Sequence, residues 1–264
     1  VKLGLEGQAF LVTGGGAGIG AAITRACLDE GAQVAVVGRT TDDVRQFQEE
    51  LKKAEAGCER VEFIEAELAD PEQCRQAVMR THERFGRLDG LVNNAGANDA
   101  IGLAAGNPER FMESLRQNLL HYYALAHYAL PMLKQSRGSI VNISSKVAFT
   151  GQGGTSAYAA AKGAQLALTR EWAAELLPFG IRVNCVVPAD VFTPLYRQWL
   201  TTQQDPENLL KRIHTRIPLG RRMTEPAEIA AMVVFLLSPA QSGHTTAQQI
   251  VVDGGYVHLD RALT

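Results

Sequence analysis

The chain predicts a doubly wound α/β fold, a seven-stranded parallel sheet with helices on both faces, and three observations carry that prediction. Short β-branched runs alternate with longer helical patterns along the whole length. The runs are almost continuously hydrophobic, as strands covered on both faces must be. A glycine-rich turn, Thr13-Gly14-Gly15-Gly16-Ala17-Gly18-Ile19-Gly20, separates the first run from the first helical pattern.

Strands are predicted at 9–13, 34–37, 61–66, 90–93, 139–144, 182–187 and 250–252. Helices are predicted between them at 19–30, 42–54, 71–85, 108–134, 156–177 and 226–237. Right-handed crossovers join such elements into one sheet, with ligands at the carboxyl ends of its strands. Residues 194–222 break the rhythm with Tyr196, Trp199, Pro206 and Pro218. An insertion at that edge reads as a substrate lid, or as a short helical excursion that only packs. A single domain over 1–264 accounts for the length.

With 46% hydrophobic and 20% charged residues the chain can enclose a large core. Its net charge is −2 and its basic residues are scattered, which argues against nucleic-acid partners and against an anionic membrane surface. Cys27, Cys58, Cys74 and Cys185 form no C-x-x-C pair. They read as packing residues in a reducing compartment, with no metal site. Residues 1–10 carry no signal-like pattern and no apolar stretch is bilayer-long, so a cytoplasmic location is expected.

Tyr158 and Lys162 are four residues apart in a predicted helix, so phenol and ammonium project from nearly the same face. A free phenol, with a reference pKa of about 10, is a poor base near neutrality, and a cation nearby favours its ionised form. Ser145 closes the fifth strand 13 residues earlier, and Asn118 lies inside a helix, where an amide has mediocre propensity. The glycine turn, with Gly14, Gly16, Gly18, Ile19 and Gly20, lets backbone approach a pyrophosphate at a helix amino terminus. Its spacing is G-x-x-x-G-x-G. The second strand ends in Gly38-Arg39-Thr40 with no carboxylate, and Arg39 can clamp a ribose phosphate, which favours NADP over NAD. Glu67 and Leu68 can meet an adenine, and Asn94, Ala95 and Gly96 a ribose.

These motifs together resemble the short-chain dehydrogenase/reductase superfamily across almost the whole chain. They are T-G-G-G-A-G-I-G at 13–20, N-N-A-G at 93–96, Asn118, S-S at 144–145, Y-A-A-A-K at 158–162, R-V-N-C-V-V-P at 182–188 and V-D-G-G at 252–255. The resemblance implies a Rossmann-type fold and a set of roles. Tyr158 is then general base or acid, Lys162 holds the ribose and lowers the tyrosine pKa, Ser145 bonds the reacting oxygen and Asn118 anchors a water relay. Pro188, Val191 and Thr193 are implied beside the cofactor, the last two near the nicotinamide carboxamide. Ala189 and Ala247 stand where the family commonly has glycine.

Residues 93–99, 144–146, 151–153 and 255–264 further resemble bacterial L-fucose dehydrogenases, which oxidise the anomeric hydroxyl of an aldose to a lactone. A sugar needs several donors and acceptors, since unmatched buried polar groups are costly. Beside Ser145 and Tyr158, loop residues Asn98, Asp99, Lys146 and Gln152 can supply them, and Tyr196 and Trp199 can cover an apolar ring face. The same core serves 3-oxoacyl thioester reduction and hydroxysteroid oxidation, which favour a more apolar cleft. A non-catalytic dinucleotide sensor would have no need of Ser145, Tyr158 and Lys162 together. The apolar helix at 108–134 and the alanine-rich helix at 156–177 offer pairing faces, and the superfamily resemblance implies a homotetramer with carboxyl tails near subunit contacts. The faces alone leave dimer and tetramer open.

Overall fold

The computed structural model describes residues 2–54 and 57–259. Seven parallel strands form one sheet: β1 (Ala9–Thr13), β2 (Gln33–Gly38), β3 (Val61–Glu65), β4 (Gly90–Asn93), β5 (Ser139–Ile143), β6 (Arg182–Pro188) and β7 (Gln249–Val252). Their spatial order is β3-β2-β1-β4-β5-β6-β7. The order reverses between β1 and β4, the switch point at which such sheets open a crevice. The expected Rossmann-type sheet is therefore present, with ends shifted by a residue or so. The carboxyl-terminal residues 260–264, expected near a subunit contact, lie outside the described residues.

Helices α1 (Gly18–Asp29), α2 (Asp42–Lys53), α3 (Pro71–Phe85), α4 (Pro108–Leu115), α5 (His121–Ser136), α6 (Ser156–Leu176), α7 (Pro194–Thr201), α8 (Pro206–Arg216), α9 (Pro226–Leu237) and α10 (Pro239–Ser242) complete the chain. Strand alternation sorts β1 between two cores. Leu11 packs with Leu125, Leu133 and Trp172 on one face. Phe10 and Val12 pack with Ile23, Phe47 and Val233 on the other. Such burial is worth roughly 25 cal/mol per Å² of apolar surface, and it anchors both helical layers.

The helix expected over 108–134 is divided. A π-helical turn, Arg116–Leu120, joins α4 to α5 and carries Asn118 at its centre. Residues 194–222 hold α7 and α8, and α7 buries only Leu200. Cys27, Cys74 and Cys185 are buried as expected of packing residues, whereas Cys58 is exposed in the 3-10 turn before β3. Ala247 adopts φ +61°, a left-handed conformation that glycine would take without the steric cost a Cβ brings.

Candidate active site

The carboxyl ends of β1 and β4 are tied by Thr13. Its hydroxyl accepts the Asn94 amide at 2.9 Å and the Ala95 amide at 3.0 Å, while Asn94 Nδ2 donates to the Thr13 carbonyl at 2.8 Å. The glycine turn follows at once. Gly14 has φ +61° and donates to the Val37 carbonyl at 2.8 Å. A Cβ on Gly20 would collide with the Gly14 carbonyl oxygen, so only glycine lets α1 start this close to the turn. The amides of the first turn of α1 thus face open space.

That space is a cleft of about 700 Å³ at the sheet's switch point. Gly14, Gly16, Gly18, Ile19, Arg39, Glu67, Leu68, Asn94, Ala95 and Gly96 line one stretch of it. Asn118, Ser145, Tyr158, Lys162, Pro188, Val191, Thr193 and Tyr196 line the rest. Gly20 supports the turn from behind. At the β2 end, Arg39 is exposed on the rim, and Thr41 and Asp43, unnoticed in the sequence, line the cleft beside it. Glu67 folds back, its Oε1 accepting the Ala69 amide at 3.2 Å. Thr193 caps α7 by accepting the Tyr196 amide at 3.2 Å.

At the other end, α6 presents Tyr158 and Lys162 to the same space. Lys162 Nζ donates to the Ile143 carbonyl at 2.8 Å and lies 5.5 Å from the Tyr158 ring centre. The Tyr158 hydroxyl bonds Ser145. Burial pushes the Tyr158 phenol up to about 12, the Ser145 bond opposing it and the nearby Asp99 charge adding to it. Burial pulls the Lys162 ammonium down to about 8. Burial therefore holds the phenol protonated.

Asn118 is 1% exposed, and its side chain is engaged within the fold. Oδ1 accepts the Ala97 amide at 2.9 Å, and Nδ2 donates to the Ser114 carbonyl at 3.1 Å. Its backbone carbonyl, displaced from a regular helical ladder by the π turn, accepts from Gln165 Nε2 at 2.9 Å. Asn118 thus pins the loop after β4 against α6. A Cβ on Gly96 would lie 3.1 Å from Asn118 Oδ1 and 3.6 Å from Lys162 Nζ, so these three residues converge.

The residues proposed from the sequence to touch substrate divide. Asp99 is half-buried and acts electrostatically on Tyr158, and its Oδ1 is a buried oxygen without a hydrogen-bond partner among the described residues. Tyr196 lines the cleft, and burial together with the neighbouring Asp190 carboxylate raises its pKa. Lys146 is committed to Asp190 at 2.5 Å. Asn98 is exposed and turns back, its Oδ1 accepting the Ala100 amide at 3.1 Å. Gln152 is exposed and, with Asn98, Asp99 and Lys146, lies off the cleft lining. Trp199 also lies off it, edge-on against Tyr196 at 5.1 Å between ring centres. Among the described residues no group of three or more His, Cys, Asp or Glu side chains has a metal-binding arrangement. No helix among them is long and apolar enough to cross a membrane.

The profile of a family described as enoyl-(acyl carrier protein) reductase, a branch of the short-chain dehydrogenases, matches residues 14–257. The chain belongs to the short-chain dehydrogenase/reductase family. It is 39% identical to an L-fucose dehydrogenase of Oryctolagus cuniculus over 94% of this chain and 84% of that one. It is 35% identical to the 3-oxoacyl acyl-carrier-protein reductase FabG of Thermotoga maritima, over 96% of this chain and 99% of that one. The solved structure of Cj0485 dehydrogenase superposes with a TM-score of 0.94 at 41% identity, covering 100% of this chain and 99% of that one. The protein is thus an oxidoreductase of this family using an NAD(P) nucleotide. The donor set fits such a group: free amides at a helix start, a glycine backbone, and a cation at the rim.

Proposed function

We propose that the protein oxidises the anomeric hydroxyl of an aldose of the L-fucose type to its lactone, with NADP as acceptor. The observation that carries the sugar reading is the 39% identity to an L-fucose dehydrogenase over 94% of this chain, and Asp99 adds to it. A carboxylate oxygen beside Tyr158, buried without a partner among the described residues, invites a hydroxyl donor, and a polyol brings one next to its reacting carbon. Arg39 at the rim, with no carboxylate ending β2, supports NADP over NAD.

On this reading Ser145 orients the reacting oxygen and Tyr158 takes its proton. A bound oxidised nicotinamide would supply the hydride acceptor in this cleft. Lys162, fixed by the Ile143 carbonyl, adds its charge from below and meets the ribose, while Asn118 and Gly96 shape the wall beside it. Pro188, Val191 and Thr193 form the facing wall. Proximity and fixed electrostatics supply the rate. The exposed apolar side chains Met112 and Tyr123, on α4 and α5, support pairing of subunits as a homotetramer, which sedimentation would test.

The likeness to FabG favours a second reading, reduction of a 3-oxoacyl thioester. A panel of aldoses with NADP, run beside 3-oxoacyl thioesters with NADPH, separates the two. Turnover of L-fucose or a stereochemical relative is expected. Efficient thioester reduction with no aldose turnover would replace the first reading with the second.

A further inference from the structure

Lys146 and Asp190 meet at 2.5 Å with side chains only 14% and 15% exposed. Tyr196 stands beside the same carboxylate, whose charge acts on its phenol. The Lys146 ammonium also stands 4.4 Å from the centre of the Tyr256 ring. These four residues come from four segments: the turn after Ser145, the loop after β6, helix α7, and the stretch after β7. Each segment is anchored separately. The Asp190 carbonyl accepts the Thr224 amide at 3.0 Å. Asp253 accepts the Gly255 and Val257 amides at 2.7 Å each, which sets the course of the chain through Tyr256.

Asp190 follows Ala189 and precedes Val191, both of which line the cleft. One half-buried carboxylate therefore stands between the loop that bears Ser145 and helix α7, whose Tyr196 lines the cleft. Charge-assisted bonds at low exposure are strong, and removing one partner leaves the other charge uncompensated. We propose that Asp190 is a positioning residue for the substrate end of the cleft: through Lys146 on one side and Tyr196 on the other, its carboxylate fixes the spacing between the Ser145 turn and helix α7. This rests on the aldose reading, in which the reacting carbon lies beside Ser145 and Tyr158.

The test compares Asp190→Asn, Lys146→Met and Tyr196→Phe, singly and as the pair Asp190→Asn with Tyr196→Phe. Each single variant should raise the KM for the aldose about tenfold while kcat and the affinity for NADP alone stay within about threefold. The double variant should be no worse than Asp190→Asn, because both remove one shared link. Asp190→Glu, which keeps the carboxylate, should recover part of the loss. Additive effects, or a matching fall in NADP affinity, would overturn the proposal. Hydrogen exchange of the amides of 194–201, measured without substrate, is a separate readout and should quicken in Asp190→Asn and Tyr196→Phe. Should the wild type oxidise no aldose, the sugar reading fails while the exchange data still decide on Asp190. Unchanged exchange rejects it.

Discussion

The Lys162 ammonium stands 5.5 Å from the centre of the Tyr158 ring, one helical turn further along α6. The same ammonium is held by the Ile143 carbonyl at the end of β5, so helix and sheet fix it jointly. The cation is placed to act on the phenol through space. Burial sets both groups, at about 12 for Tyr158 and about 8 for Lys162.

Oxidation should therefore quicken as pH rises, because the base form of a phenol raised by burial becomes populated only on the alkaline side. Rates must be compared under conditions where chemistry limits turnover. Tyr158→Phe should lower kcat by about 10²- to 10⁴-fold and leave a shallow pH profile. NADP affinity, measured by fluorescence titration, should barely change. A Tyr158→Phe variant with the wild-type rate and pH dependence would remove Tyr158 from its role.

Arg39 is the exposed cation on the rim at the end of β2, and a forked guanidinium matches a ribose phosphate in geometry and charge. Arg39→Ser should weaken NADP by about tenfold or more while NAD changes little, since charge-assisted bonds to phosphate are lost only with the first. Kd values for both nucleotides measure this directly. Equal losses for both would assign Arg39 to general binding instead of discrimination.

The sheet was legible because its strands are buried on both faces and read as apolar runs, and the glycine turn because its spacing is a backbone requirement. Asn118 was legible as an odd amide in a helix, yet the π turn around it was not. One extra residue in a turn leaves no mark on an approximate 3.6-residue period. Asp190 carries no motif, and its tie to Lys146 spans 44 positions, so only the assembled fold brings the pair together. Lys146 and Gln152 looked alike as polar loop residues. Local sequence cannot tell a side chain spent on an ion pair from one left in solvent.

Asp99 brings a buried oxygen, unpartnered among the described residues, and a negative charge to the edge of the Tyr158 environment. Asp99→Asn keeps the size but turns one acceptor into a donor. A substrate hydroxyl should then lose its acceptor, raising the KM for the aldose by about tenfold, in the range expected for a hydrogen bond to a charged group. Removing the charge should also lower the alkaline limb of the rate profile toward neutrality, because Asp99 raises the phenol pKa. Both effects come from one steady-state pH series. An unchanged KM with a shifted profile would keep Asp99 as an electrostatic neighbour and exclude it from the substrate's contacts.

His121 is fully buried directly after the π turn, its Nε2 at 3.2 Å from the Ala95 carbonyl and its Nδ1 without a partner among the described residues. A carbonyl only accepts, so Nε2 carries a proton, and burial with no acceptor for Nδ1 keeps the ring neutral. Burial lowers its pKa from 6.5 to about 4, with the Ala95 bond opposing and the Lys162 charge assisting. The sign follows from proton counting. Between 6.5 and about 4 the unfolded chain binds a proton that the folded one does not, so the folded state loses stability as pH falls through that window. The full loss is about 3 kcal/mol, reached only near pH 4. His121→Gln keeps a donor for Ala95 and removes the titration. Denaturant unfolding at a series of pH values should show a shallower fall in stability from pH 6.5 to 4 for this variant than for the wild type. Parallel curves would mean that His121 is protonated without strain and that acid sensitivity arises elsewhere. A shallower variant curve would locate it against the Asn94-Ala95-Gly96 turn, so that acid would loosen the wall beside Lys162 before the sheet itself.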